Sequence, residues 1–173
     1  MRSYLLVLGE RQALAWVLRH QRMAFPARRW TEARRLELGD ELLLYTTRSC
    51  WHNPNRDRGR VIGRAYVTSQ VTLLDEPIEI AGRAFMSGCA LDVRTLTAYR
   101  TGVELAPLVD CLAAFPKKET WNIWLRRPLL KLSSADATLV RNRLAEEEFP
   151  AVEQVPIYLE NIRSVAAGGL TQS

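Results

Sequence analysis

Leu36-Glu-Leu-Gly-Asp-Glu-Leu-Leu-Leu-Tyr45, followed by Arg60-Val-Ile-Gly-Arg-Ala-Tyr-Val67, is the part of the sequence that decides the fold. The Gly39-Asp40 pair reads as a tight turn, with the short Asp40 side chain expected to hydrogen-bond nearby backbone. It feeds Glu41–Thr46, an apolar run that reads as a buried strand. The next strand is expected over 60–73, interrupted at Gly63 where a barrel needs a bend. Between the two lies Thr46-Thr-Arg-Ser-Cys-Trp-His-Asn-Pro-Asn-Arg-Asp-Arg-Gly59, a long Arg-rich loop carrying Trp51 and His52. Long irregular connections inside a domain are uncommon unless they bind something.

Working outward, Ser3–Leu8 is a short apolar run expected as a central strand. From Glu10 to Gln21, Ala13, Leu14, Val17 and Leu18 share one helical face. Trp16 lies beside that stripe as packing, and His20 falls at the helix C-terminus, where a cation is favoured. Pro26 imposes extended backbone on its predecessor, and Trp30–Arg35 has room for one helical turn. Asp75-Glu-Pro77 is expected to turn, with brief pairing at Ile78–Ile80. Phe85–Tyr99 alternates like a half-buried strand and restarts out of phase near Arg94, which predicts a bulge or bend.

Pro107 opens a short helix carrying Leu108, Val109 and Leu112. Trp121–Leu125 suits a helical turn and Leu129–Leu132 a strand. Ser133-Ser-Ala-Asp136 has the spacing of a capping box, heading a helix with Leu139, Val140 and Leu144 inward. Pro150 is expected to end this region, Ile157–Leu159 to add an edge strand, and residues 166–173 to form a disordered tail. The sum is an α+β domain over residues 1–165, with five to seven short strands closed into a small mixed barrel and helices packed outside.

At 173 residues, 47% hydrophobic and 25% charged, the chain has the composition of one globular domain. No apolar run approaches the twenty residues of a membrane span, and no signal-peptide succession opens the chain, so a cytoplasmic location is expected. Cys50, Cys89 and Cys111 are odd in number and lack zinc spacing, so free thiols and no metal or cofactor are expected. Residues 1–64 hold 13 Arg against 6 acids, while residues 65–173 hold 11 basic groups against 13 acids. Asymmetry of this kind fits one positive face that attracts a polyanion, or a set of solvated arginines.

Catalytic patterns are thin. There is no Gly-rich phosphate loop, no Gly-x-Ser-x-Gly elbow and no His-Glu-x-x-His helix. A Cys50–His52 pair in the long loop is the one arrangement that a hydrolase or nuclease could use. Glu146-Glu-Glu148 reads as a solvated helix end. Binding chemistry is better supplied. Unstacked bases are held on aromatic rings while arginines hold phosphates. Phe25, Tyr45, Trp51 and Trp121 lie close in sequence to Arg28, Arg48, Arg56, Arg58, Arg60, Arg126 and Arg127. Thr46 and Thr47, at a strand end, offer hydroxyl or backbone groups to a base edge.

These segments in their order resemble the EVE domain, a branch of the PUA-like superfamily that includes YTH and ASCH domains. Leu36–Tyr45 and Arg60–Val67 are similar to its core. Tyr4–Val7 is similar to its opening strand and Phe25-Pro-Ala-Arg28 to its hydrophobic-Pro-x-Arg element. Lys117-Lys-Glu-Thr-Trp121, running into Pro128–Ser133, is similar to its C-terminal third, so the resemblance spans residues 2 to 145. It implies a domain that binds RNA or DNA and reads a modified base, methylated or otherwise modified cytosine or adenine, in an aromatic cage. The cage would be built from Phe25, Pro26, Tyr45, Thr46, Thr47, Trp51 and Trp121. Arg28, Arg29, Arg48, Arg58, Arg60 and Arg126 would serve the backbone. Many relatives carry a Trp just before the hydrophobic-Pro-x-Arg element, where this chain has Met23; the resemblance then implies a softer wall, or Trp51 or Trp30 in its place. A small nucleoside or a protein is the alternative partner.

Overall fold

The computed structural model describes residues 1–53 and 55–168. Strand β3 (Glu41–Thr46) is buried at all six positions because its two faces enter two different cores. Leu42 and Leu44 join one, and Leu43 and Tyr45 the other. A strand covered on both sides needs a continuous apolar run, not an alternation. Strand β1 (Ser3–Leu8) runs parallel to it in unbroken register from Ser3–Glu41 to Leu8–Thr46. On its other side β3 pairs antiparallel with β4 (Arg60–Val67).

The main path of the sheet adds β2 (Arg22–Phe25), β6 (Arg83–Thr97) and β8 (Leu129–Leu132) in the order β2-β6-β4-β3-β1-β8. These six fall within the expected five to seven strands. Three more bring the described total to nine: β5 (Thr72–Ile80), β7 (Val103–Glu104) and β9 (Glu148–Pro150). The sheet curls into a half barrel with helices outside, the α+β class expected. Helices α1 (Arg11–His20) and α4 (Ala151–Gly168) cover one core, and α3 (Ser134–Leu144) covers the other. Between them come the single turn α2 (Trp30–Ala33) and 3₁₀ segments at Ala27–Arg29, Ala106–Cys111 and Lys118–Arg126.

Curvature comes from two bulges. Leu44 faces Gly63 but Tyr45 faces Val61, so Ile62 is the extra residue beside the expected bend. Gly63 is required there for a second reason: a Cβ would collide with the Thr95 carbonyl. Arg64 faces Thr95 but Ala65 faces Val93, which leaves Arg94 as the bulged residue, as the alternation predicts.

The expected edge strand at Ile157–Leu159 is instead the middle of α4, which continues through Pro156 to Gly168. Proline removes one helical hydrogen bond, and packing outweighs that loss. Tyr158 is fully buried, donates its hydroxyl to the Thr97 carbonyl at 3.0 Å and meets Tyr99 edge-on. The expected disordered tail thus overlaps the end of α4, and its residues 169–173 lie outside the described residues. Asp75–Pro77 does not turn: β5 runs through it with a register shift between Leu73 and Ile78, and the chain turns earlier, after Val67. Glu148 is not a solvated helix end but pairs bidentately with Arg64 in β4. Ser133 caps α3 through the Asp136 amide as expected, whereas the Asp136 carboxylate turns away to accept the Ala113 and Ala114 amides.

Two carboxylates lock β3. Asp40 accepts the Glu37 amide at 2.9 Å and the Arg2 amide at 3.0 Å, and pairs with the Arg2 guanidinium. Burial works to raise its pKa, but these hydrogen bonds outweigh it and hold the carboxyl below its ordinary value of 3.8. Glu41 is fully buried and is met bidentately by Arg141 of α3. Removing one partner of such a pair strands a buried charge. Arg141→Ala is therefore expected to cost about 3 kcal/mol in urea unfolding, with much of it recovered by the joint change Glu41→Leu and Arg141→Met. Asp40 stabilises the fold above the unfolded-state pKa, and that contribution is lost as pH falls through the lower folded value. Asp40→Asn should accordingly flatten the loss of stability below about pH 4.

Candidate functional site

Because β1 and β3 are parallel, both strands end at the same edge of the sheet, and their following loops meet there. The Thr47 amide donates to the Leu8 carbonyl at 3.1 Å, and the Arg11 amide to the Cys50 carbonyl at 3.1 Å. A third segment joins them through the Val7 amide, which donates to the Pro128 carbonyl at 2.8 Å. A two-lobed groove opens at this junction.

The first lobe, about 260 Å³, is apolar at its base and arginine-rich at its rim. Its base is formed by Val7 and Leu8 from β1, Ala13 from α1, Met23 from β2 and Pro26. The β5–β6 hairpin contributes Ile80 and Phe85 on the far side. Arg28, Arg29, Arg83, Arg126 and Arg127 surround it, against one carboxylate, Glu10. Glu10 is itself held by His52 Nε2 at 3.0 Å, so the lobe is electropositive.

The second lobe, about 500 Å³, is lined by Tyr45, Arg48, Arg58, Gly59, Glu104, Glu119, Trp121 and Asn122 among others. Thr47, Ser49 and Leu125 line both lobes and form the saddle between them. Tyr45 is buried, and burial pushes its hydroxyl up to about 12, against the pull of Arg48. Its hydroxyl presses so closely on Gly59 that any side chain there would collide with it.

The expected site residues therefore divide. Pro26, Arg28, Arg29 and Arg126 line the first lobe, Tyr45, Arg48, Arg58 and Trp121 the second, and Thr47 both. Phe25 and Thr46 are buried behind them, Thr46 donating its hydroxyl to the Arg60 carbonyl. Arg60 lines neither lobe but pairs at 3.4 Å with Glu104, which lines the second. Trp51 lines neither lobe. It is 9% exposed and packs on Tyr99 edge-on and beneath the Arg100 guanidinium. A Trp in a polar loop here has an apolar reason, which is to pin the long loop to the core. Trp30 lines neither lobe, whereas Met23 lines the first. The residues without a sequence signal are Arg83, Ile80 and Phe85, which reach the groove only because the β5–β6 hairpin folds over it.

The Cys50–His52 pair does not form a nucleophile. Cys50 is fully buried, and burial first, then Glu10 and Asp57, pushes its thiol up to about 12, while His52 is engaged with Glu10. Thiolate is the reactive form. In the folded protein at pH 8, a thiol reagent is expected to titrate Cys111, which is exposed, and to reach Cys50 and Cys89 only after denaturation. Two or more fast native thiols would contradict this burial.

No family model matches the sequence, and no curated protein matches it either. Solved structures do. The YTH domain of the Zygosaccharomyces rouxii MRB1 protein, in complex with N6-methyladenosine RNA, superposes with a TM-score of 0.55 at 14% identity, covering 82% of this chain and 84% of that one. Human THYN1, in complex with DNA containing 5-methylcytosine, gives 0.50 at 13% identity, covering 81% and 95%. Rpa0253 from Rhodopseudomonas palustris gives 0.51 at 14%, covering 84% and 94%. At these identities the likeness is one of fold: the chain has the PUA-like architecture shared by YTH domains and THYN1, as the resemblance to EVE domains implies.

Proposed function

We propose that this chain is a non-catalytic nucleic-acid-binding domain that takes a modified base into the first lobe of the groove. The observation that carries the reading is an apolar pocket of one-base size ringed by five arginines, of which Arg29 is paired with Glu32, and by one carboxylate, Glu10, engaged by His52. Ligand pockets for larger molecules run from roughly 300 Å³ upward, so a lobe of about 260 Å³ suits a single heterocycle. Two neighbours in fold are complexes with nucleic acid carrying a methylated base, which supports the same use of the same architecture here.

The mechanism follows from the lining. A base leaves its stack, most readily where pairing is weak, and is replaced in water by contacts with Met23, Pro26 and Phe85. Methylation adds apolar area, worth about 25 cal/mol per Å² buried, so such a pocket gains affinity for it. Met23 is polarisable and adaptable and substitutes for a flat aromatic wall. Arginines at the rim hold the flanking phosphates and fix the register without reading sequence. Thr47 and Ser49 on the saddle, whose hydroxyls lie 3.2 Å apart, are the groups that meet the base edge in this reading. A methylated or otherwise modified cytosine or adenine, in DNA or RNA, is the ligand class.

The test is binding to short single- and double-stranded DNA and RNA, with and without 5-methylcytosine, 5-hydroxymethylcytosine or N6-methyladenine, at two salt concentrations. Preference for one modified base is expected, with affinity falling steeply as salt rises. Arg28→Ala and Arg126→Ala should each weaken every oligonucleotide alike and lower the salt slope by about 1. Met23→Ala should erode the preference for the modified base more than overall affinity. Salt-insensitive indifference to all oligonucleotides would refute the reading and turn attention to free nucleosides or a protein partner.

A further inference from the structure

The second lobe differs from the first in charge and chemistry, and that difference assigns it a separate task. Its lining holds two arginines, Arg48 and Arg58, and two carboxylates, Glu119 and Glu104, the latter paired with Arg60 beside the lobe, so its rim is less positive than that of the first lobe. It also carries what the first lobe lacks, a large flat indole. Trp121 is half-buried, fixed from behind by the buried Phe115 ring at 5.8 Å and 80°. Its ring is therefore held in place without being covered. Tyr45 and Leu125 complete an apolar floor, and the absence of a side chain at Gly59 keeps the Tyr45 hydroxyl at that floor.

We propose that this second lobe is a stacking platform for the nucleotide next to the modified one, so that the domain holds two adjacent bases of one strand across the Thr47–Ser49 saddle. The inference rests on the reading of the first lobe as the modified-base pocket. A less basic, aromatic cleft selects the face of a base, since every base has one, and has a weaker hold on phosphate. The five-arginine rim next door supplies the phosphate contacts instead. Tyr45 stays neutral, its hydroxyl without a hydrogen-bond partner among the described residues, and Glu119 and Asn122 at the rim can accept from or donate to an exocyclic group. The shared saddle residues make the lobes contiguous, which is what consecutive nucleotides require.

The test separates the two lobes by ligand length. The probes are 5-methyldeoxycytidine and N6-methyladenosine monophosphates, and trinucleotides with the same base in the middle, with normal or abasic flanks. For unmutated protein, a trinucleotide should bind more tightly than the monophosphate, and an abasic flank on one side should abolish that gain. Trp121→Ala should leave the monophosphate affinity unchanged, which also serves as the fold control. It should weaken the trinucleotide by about 5- to 150-fold, the range for one stacked base, without changing the salt slope. Where the alanine variant does not fold, Trp121→Phe keeps a ring on Phe115 and should show a smaller loss confined to trinucleotides. Equal losses for monophosphate and trinucleotide in a folded variant, or indifference to abasic flanks, would overturn the platform alone. Failure of unmutated protein to prefer any modified base would overturn the first-lobe reading, and the platform with it.

Discussion

The six parallel residue pairs between β1 and β3, from Ser3–Glu41 to Leu8–Thr46, bring two strand ends to one edge of the sheet. Parallel neighbours cannot be joined by a tight turn, so α1, β2 and the following turns must be spent on the crossover. That crossover returns Met23 and Pro26 to the same edge, where they meet the loops that leave β1 and β3. The groove is thus a product of strand direction. An antiparallel pairing would have sent the loops after Leu8 and Thr46 to opposite edges, and no combination of side chains would have restored a shared site. The lock on this arrangement is electrostatic as well as apolar, because Glu41, buried within β3, is paired bidentately with Arg141 of α3.

How much of this was legible in the sequence depended on whether the cause was local. The Gly39-Asp40 turn, the apolar β3 run, the Arg94 bulge and the Ser133 cap all have causes within a few residues, and each was readable. Helix α4 was not, because Pro156 argues locally against a helix and Tyr158 argues for it only through a carbonyl 61 residues away. The candidate site shows the same division. Pro26, Thr47, Trp121 and five of the six named arginines reach the groove, most of them from beside a strand end or the loop that follows one, and Trp121 and Arg126 from the 3₁₀ segment at Lys118–Arg126. Arg60 is the arginine that lines neither lobe, held by Glu104, a residue of β7 that pairs with it across the sheet.

Trp51 shows why an aromatic residue in a polar loop is ambiguous. A loop of this length has to be tied down before its polar residues can hold a fixed geometry, and burying one large ring achieves that. Trp51 packs with Tyr99 and Arg100, and Arg100 in turn pairs with Asp57 of the same loop. Two loop positions, one near each end, are therefore fastened to the strand end at Thr97–Arg100. On the stretches that flank them, Thr47, Arg48, Ser49 and Arg58 are left facing the groove. The ring expected to touch a ligand serves instead to position the residues that line the groove.

The partition of charge between the two lobes follows from the same architecture. The first lobe draws its arginines from three separate segments, Arg28–Arg29, the β5–β6 hairpin and Arg126–Arg127, and the one carboxylate in its lining is Glu10. The second draws on β7 and the 3₁₀ segment at Lys118–Arg126, which carry Glu104 and Glu119. A polyanion approaching this edge meets stronger attraction on one side of the saddle than on the other, so its phosphates have a reason to settle at the first lobe. Whatever part of it enters the second lobe does so for the indole and the buried phenol. Orientation along the groove is then set by chemistry of different kinds at its two ends, which a uniformly basic surface could not achieve.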